Sequence, residues 1–472
     1  MSRINTNIPS MVGARILAAQ NASLNQSLTR LSTGLRINSG RDDPAGLIAS
    51  EDLRAEKVAI TSAIDNAQRA ANIVSVAEGG LDEVNKLLNE LEGLIDRSSN
   101  DAGISSEERD ANQLQIDAIL ESINRIASST EFQGRKLLSG ELAYTTSAVN
   151  TTNLTSLQIT SARLPNGGYR SVVVQVTASA QLGTVTFSGA ATTSPATIEV
   201  TGNIGTDTIS VASSTSIASV AAAVNQSKEL TGVSAVVVGG TSLSFYSTQY
   251  GSDQFVQVRP LSGTFAITGG DANGRDYGVD ATVSVNGTSA TVQGLHASLR
   301  TATLSLDIDL GTAFGAQTLG STTFYVTGGG ADFMISPKVS LAGVTSFGIQ
   351  NTATSSLGNG AVGYLSSIGS GQNNALITGN YANAQRIVRK AQDQIAALRG
   401  RLGAFGKDTL ETSANALRIT LENTTAAESA IRDTDFAGET SNLTRSQILV
   451  QSATNVLRLA NAAPQQVLAL LG

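Results

Sequence analysis

The sequence predicts an α+β protein in which long antiparallel or coiled-coil helices from both termini pair into a core around a β-rich central insertion of one or two domains. Three observations predict this. Residues 1–140 hold 14 Lys and Arg with 19 Asp and Glu, and residues 381–472 hold 10 and 8, whereas residues 141–380 hold only 7 and 11. Apolar residues recur at heptad spacing in both charged ends. The weakly charged middle is instead rich in Thr, Ser, Val and Gly, alternating between turn residues.

The N-terminal helices follow in order. From Ala14 the series Leu17, Leu24, Leu28, Leu31 and Leu35 steps by seven, four, three and four, with Asn21 filling the missing position. This is a coiled-coil seam, narrower than an ordinary amphipathic face. Gly34 and Gly40 loosen "STGLRINSGRDDPAG", and Asp43 before Pro44 offers an N-cap and first-turn proline for a second helix. Its seam is Ile60, Ile64, Ala67, Ala71 and Val74, then Leu81, Val84, Leu88, Leu91 and Ile95. Ser105 and Glu108 form a capping box for a third helix through Ile116, Ile119, Ile123 and Ile126.

The C-terminal end matches. Ala384, Val388, Ala391, Ile395, Leu398 and Leu402 step by four and three, and Leu443, Val450, Leu457, Pro464 and Leu471 lie seven apart. Ala453, Ala460 and Val467 occupy the alternate positions of that last seam. Between Phe436 and Leu471 the helix breakers are Gly438 and Pro464, so a rod of roughly 50 Å is expected. Rods this narrow cannot hide both seams alone and must cover each other or a neighbour. The closing stretch "VLRLANAAPQQVLALLG" is strongly apolar to its last residues, where soluble chains are usually polar.

In the middle, "ATVSVNGTSATV" sets Asn286-Gly287 between alternating strands, a strong hairpin signal. "IEVTGNIGTDTISV" and "VSAVVVGGTSLSFYS" read as further strand pairs, and "SIASVAAAVNQS" as the one helix.

Composition narrows the chemistry. There is no cysteine, so disulfides, thiolate metal sites and cysteine nucleophiles are excluded. The net charge of −7 gives no support to nucleic-acid binding, and the scarcity of aromatics none to base-stacking platforms or carbohydrate-stacking clefts. No run approaches a membrane span, and "MSRINTNIPSMVGARIL" lacks the apolar core of a cleaved signal. His296 is the single histidine, so a two-histidine zinc-protease motif is impossible. "DANGRDYGVD" lacks the sixth-position Gly and twelfth-position Glu of a calcium loop and reads as turn chemistry. Gly328–Gly330 follow a strand without opening a helix, so they form no phosphate cradle. No catalytic, cofactor or metal site is expected.

Several stretches then become specific. "LSTGLRINSGRDDPAG", "STEFQGRKLLSG", "ESAIRDTDFAGETSNLTRSQIL" and "LANAAPQQVLALLG" resemble bacterial flagellin, in that family's order and at its distances from both termini. The likeness covers about residues 1–140 and 381–472, and "IGTDTISVASSTSIASVAAAVNQS" resembles the strand–helix–strand insert of many flagellin variable regions. The resemblance implies terminal helices that form the filament core, ordering on polymerisation into concentric tubes, with the middle domains projecting outward. It divides the chain into an inner-tube helix and linker at 1–43, a helical part of the outer core at 44–140 and variable domains at 141–380 with the insert at about 196–259. A second outer-core part at 381–435 and an inner-tube helix at 436–472 follow. Under this reading Leu17, Leu24, Leu28, Leu31, Leu35, Leu443, Val450, Leu457, Val467, Leu468 and Leu471 are self-assembly contacts. Arg30, Arg36, Asn38, Asp42 and Asp43 set the bend between inner and outer helices through ion pairs and caps.

The implied partners are further copies of the chain, an export chaperone on the C-terminal segment, and hook-junction and cap proteins. Export without a cleaved signal places the product outside the cell, on the flagellum, with no nucleic-acid or membrane partner. Where flagellins detected by an animal innate-immune receptor carry arginine, this chain has Glu90, with Glu92 and Gly93 close by, so recognition is expected to be weak or absent. The competing functions are a hook–filament junction protein of the same family and a secreted oligomeric binding protein. The β-rich middle is expected to be a spacer and exposed surface in preference to a binding module, and its Ser and Thr could carry glycans.

Overall fold

Helix α1 (Ile8–Thr33) begins where the Asn7 side chain accepts the Ser10 N–H, and Pro9 fills a first-turn position that needs no N–H. The computed structural model describes residues 6–100, 103–164, 168–301, 303–360 and 362–469, with side chains described to residue 463. Gly34, at φ 72°, closes α1 by donating its N–H to the Arg30 carbonyl, a conformation that a side chain would strain. Helix α2 (Pro44–Ser98) starts under the Asp43 cap, whose Oδ1 accepts the Gly46 N–H at 2.9 Å. Helix α3 (Ser106–Ser129) opens on the expected reciprocal capping box of Ser105 and Glu108.

Helix α4 (Ile217–Gln226) lies in the central region, accompanied there by short helical turns at Lys228–Thr231 and Thr312–Gly315. Near the C-terminus, α5 (Tyr381–Ala404) passes through a π-helical stretch, Phe405–Glu411, into α6 (Thr412–Arg432). The π stretch starts where Phe405 packs obliquely on Phe347, ring centroids 5.1 Å apart. Helix α7 (Phe436–Ala469) continues through Pro464.

The residues gather into two compact units. One comprises Met1–Arg69, Met334–Gly343 and Thr409–Gly472, the other Ala70–Phe333 and Val344–Asp408. In the second unit the expected seams are core, except that Ala71 and Ile126 are only half-buried. Val74, Leu81, Val84, Leu88, Leu91 and Ile95 of α2, Ile116, Ile119 and Ile123 of α3, and all six seam residues of α5 are buried. Beside these seams runs an antiparallel polar ladder. Asp96 accepts from Gln385, Glu92 pairs with Arg389, Asn89 accepts from Gln392, and Asp82 pairs with Arg399. Hydrogen bonds from Gln392, then Arg389, hold the Glu92 carboxyl below the usual range.

The β region has two hydrophobic cores. The first lies between a five-stranded sheet, ordered Thr288–Ser289, Thr282–Val285, Arg170–Ala178, Ser321–Gly329 and Tyr144–Ser147, and a four-stranded sheet. The latter is ordered Thr291–Gln293, His296–Arg300, Leu304–Leu310 and Leu154–Ala162. Asn286 and Gly287, at φ 51° and 79°, make the expected tight hairpin. The second core joins two four-stranded sheets and α4. It includes the expected pairs Ala196–Gly202 with Thr206–Val211 and Val233–Val238 with Ser242–Ser247. Its centre is aromatic, with Phe187 stacked on Phe265 at 4.1 Å. The Asp271 loop is turn chemistry, since that carboxylate accepts the N–H groups of Asn273 and Arg275.

Candidate functional site

In the first unit α1 and α7 lie antiparallel. Asn7 donates its amide to the Ala460 carbonyl at 2.8 Å, the Ser10 hydroxyl meets Asn461 at 2.6 Å, and Arg30 pairs with Glu439 at 3.6 Å. A Cβ built on Gly13 would stand 3.3 Å from Leu457 Cδ1, and one on Gly34 would stand 3.8 Å from the Phe436 ring. Continued in steps of seven, these contacts imply a register in which large residues of one helix face small or polar residues of the other. Gly13, Gln20, Ser27 and Gly34 oppose Leu457, Val450, Leu443 and Phe436, while Leu17, Leu24 and Leu31 oppose Ala453, Ser446 and Glu439. Gly13, Ser27, Ala453, Ser446 and Glu439 are accordingly buried. The leucines and Val450 of the seam are half-buried, their outer flanks open, whereas Phe436 at its end is exposed.

The structure thus brings Leu17, Leu24, Leu31, Leu443, Val450 and Leu457 together along one seam within a single chain. Leu28 stands off that seam and is exposed. Leu35 lies in the linker, bridged to Asp433. Val467 and Leu468 belong to α7, but their side chains, like all of Leu471, lie outside the described residues.

Sequence reasoning missed a second apolar stripe on each helix. Ile8, Val12 and Ile16, four residues apart on α1, are exposed with Met11, which is 67 % exposed. On α7, Ile448, Leu449, Val456 and Leu459 fall within about 100° of one another around the helix and are all exposed, Leu459 at 71 %. The signal was present as apolar residues between the heptad positions. Contiguous exposed apolar surface of this kind marks an interaction face.

The five expected linker residues take separate partners: Arg30 pairs with Glu439, Asp43 caps α2, Asn38 and Asp42 bond each other, and Arg36 crosses to the other linker. The Arg36 N–H donates to the Arg432 carbonyl at 2.7 Å, the Thr434 N–H to the Gly34 carbonyl at 2.9 Å, and the Arg36 guanidinium to the Ile431 carbonyl. The two linkers therefore run as a short antiparallel pair. Asp42 organises the first one. Its Oδ2 accepts the N–H groups of Asn38 and Ser39 and the Ser39 hydroxyl, and its Oδ1 accepts the Gln26 amide. The Ser39 N–H, chief among these, holds the Asp42 carboxyl below the usual range. Asn38 donates to the Leu35 carbonyl, and Ile37 is wholly buried. On the helices beyond, Glu51 pairs with Arg432 at 2.9 Å and Glu428 with Lys57 at 2.7 Å.

Elsewhere the chemistry is quiet. Among the described residues no three His, Asp or Glu side chains could share a metal ion, and no helix is long and apolar enough to cross a membrane. Glu90 is exposed on α2 and accepts a hydrogen bond from Gln115 at 3.3 Å, while Glu92 is engaged by the α5 ladder.

Comparison with known proteins agrees with this geometry. Residues 4–143 match the family of the bacterial flagellin N-terminal helical region, and residues 386–471 match that of the C-terminal helical region. The chain is 30% identical over 517 aligned residues to B-type flagellin of Pseudomonas aeruginosa, covering 99% of each. It is 28% identical over 472 residues to polar flagellin F of Vibrio parahaemolyticus and 27% over 522 to flagellin B of Helicobacter pylori, again covering 99% of each. With both terminal regions matched and a relative of this identity aligned along almost its whole length, the chain belongs to the bacterial flagellin family and is a structural, non-enzymatic subunit of the extracellular flagellar filament.

Proposed function

We propose that the α1–α7 pair is the polymerising element, with the seam holding one subunit's two helices together and the outer stripes joining neighbouring subunits. The observation that carries this is the exposed apolar set Met11, Val12, Ile16, Ile448, Val456 and Leu459, which the chain itself leaves uncovered. Covering one such side chain is worth about 1.5–3 kcal/mol, so several buried together offset the entropy of fixing two long helices. The outer flanks of Leu17, Leu24, Leu28, Leu31, Leu443, Val450 and Leu457 join the same contacts. Val467, Leu468 and Leu471 extend them. Arg30, Arg36, Asn38, Asp42 and Asp43 set the angle at which the pair leaves the outer-core helices.

The same tail is the export chaperone's site before assembly, the chain leaves the cell without a cleaved signal, and junction and cap proteins meet the filament's two ends. Electron microscopy of monomer added to short filament seeds, beside a truncation ending at Asn455, tests the reading. Long filaments from the intact chain and none from the truncation support it. Short caps or discrete rings would favour a junction protein or a secreted oligomer, and long filaments from the truncated chain would overturn the role of the tail.

Glu90 carries a second expectation. An acidic, exposed side chain where the recognised flagellins are basic repels a receptor surface built to meet arginine. Wild-type protein should give a weak or absent receptor-reporter response and Glu90→Arg a stronger one. A full wild-type response would sink this expectation.

A further inference from the structure

In the second unit, the four-stranded sheet of the first β core turns one polar row outward. Ser156, Gln158 and Thr160 alternate along strand Leu154–Ala162, while Leu154, Ile159 and Ala162 enter the core. Ser156 and Gln158 line a cleft of about 320 Å³, whose other walls include Thr146, Gln350, Tyr364 and Gln394. That volume lies at the small end of ligand pockets, about 300–1,000 Å³. None of the described residues lining it is charged.

The wall divides into fixed and free groups. Gln394 is locked, its Oε1 accepting the Gly358 N–H and its Nε2 donating to the Gly358 carbonyl, both at 2.8 Å. Thr155 donates its hydroxyl to the Asp309 carbonyl at 3.0 Å. By contrast Gln158 and Gln350, both half-buried, make no side-chain hydrogen bond with any described residue, and neither do the hydroxyls of Thr146, Ser156 and Ser356. Half-buried amides left to water lose solvation unless another hydrogen-bonding partner replaces it. Tyr364, 43 % exposed, adds an aromatic surface to the same wall.

We propose that this cleft binds a neutral saccharide. Each free amide offers a donor and an acceptor side by side, which matches vicinal hydroxyls that both give and take hydrogen bonds. The Tyr364 ring suits the C–H face of a sugar. A nucleotide or phosphorylated ligand would need a cation; the lining has none, and Lys390 and Arg401 of the adjoining cavity are committed to Asp309 and Asp307. An apolar ligand would strand the free amides. The cleft is independent of polymerisation, since none of its lining residues belongs to α1, α7 or their linkers.

The test is calorimetric titration of the full-length monomer with maltotriose, lactose and chitotriose, and with sialyllactose as the acidic counterpart. Saturable binding of at least one neutral probe is expected, weakened about 3–10-fold for each amide lost in Gln158→Ala and Gln350→Ala. Tyr364→Ala, at a position 43 % exposed, should weaken the same probe, with the circular dichroism spectrum unchanged. Saturation by none of the neutral probes, by sialyllactose alone, or equally in wild type and all three variants would overturn the proposal.

Discussion

Gly13 and Leu457 touch across the two ends of the chain, with space for little more than a hydrogen where Gly13 would carry a side chain. The contact is one rung of a register in which the bulky seam residues lie against Gly, Ala and Ser, or against the polar Gln20 and Glu439. Two effects oppose each other in Gly13→Ala. Helix propensity gains up to about 1 kcal/mol, while the new methyl pushes Leu457 by a few tenths of an ångström. The expected net change in melting temperature is small. Gly13→Ile has no such offset, because its branches must displace α7, at a cost of about 1–3 kcal/mol. Thermal melting of the two variants measures the difference, and an isoleucine variant as stable as wild type would contradict the register.

The seam and the outer stripe make different predictions for neighbouring residues. Leu457 is half-buried against α1, whereas Leu459 is 71 % exposed. Leu457→Asp should lower both monomer stability and seeded filament growth, because it places a charge between paired helices. Leu459→Asp should leave monomer melting within about 0.5 kcal/mol and still abolish growth. If Leu459→Asp grows filaments at the wild-type rate, that face is not an assembly surface.

How much of this was legible depends on what kind of force sets each feature. The seams of α2, α3 and α5, the Ser105–Glu108 box and the Asn286-Gly287 turn follow from local spacing and backbone preference, and each stands where the sequence put it. The linker acids Asp42 and Asp43 were recognisable because caps act within a few residues of their own position, whereas the partners of Arg30 and Arg36 lie near the other end of the chain. What spacing could not disclose is which apolar row a chain covers with its own partner helix. Leu17 and Ile16 are adjacent and equally apolar, yet only Leu17 faces α7. The α2–α5 ladder was hidden for a related reason, since a polar residue beside a seam has no sequence mark distinguishing a cross-helix partner from water. The cleft of Gln158 and Gln350 joins residues nearly two hundred positions apart and exists only through topology.

Asp307 is buried on an inner strand of this sheet, on the face turned away from the first β core, and held by two guanidinium groups. Its Oδ1 pairs with Arg300 at 2.6 Å, and its Oδ2 pairs with Arg401 of α5. Either arginine alone keeps the carboxylate compensated, so Arg300→Met or Arg401→Met should each cost about 1–3 kcal/mol. The double variant leaves a buried carboxylate with neither cation and should cost more than the two single losses together. The losses are therefore expected to be more than additive in urea unfolding. Strict additivity would mean that Asp307 reaches water once one arginine is gone.

His296 gives the same sheet a pH dependence. Its Nδ1 lies 2.6 Å from Asp309 Oδ1 on the next strand. The hydrogen bond to Asp309, more than the opposing burial, raises the imidazole's pKa above its ordinary value. Burial pushes the Asp309 carboxyl up, but the His296 hydrogen bond and the charges of Lys390 and His296 bring it out below the usual range. Around the pair stand Asp307 on the adjacent strand and Lys390, Asp393 and Arg401 on α5. A raised histidine value stabilises the fold fully below the unfolded pKa of about 6.5, and the contribution is lost as pH rises through the folded value. A depressed aspartate value works in the other direction, its contribution being present above about 3.8 and lost as pH falls through the folded value. The pair is therefore strongest in mildly acidic solution and weakens toward alkaline pH. Because His296 is half exposed to solvent, the effect is screened and modest. Melting curves of the monomer should show wild type losing stability relative to His296→Gln between about pH 5.5 and pH 8.5. Parallel curves for the two proteins across that range would show that the contact carries no proton-linked stability.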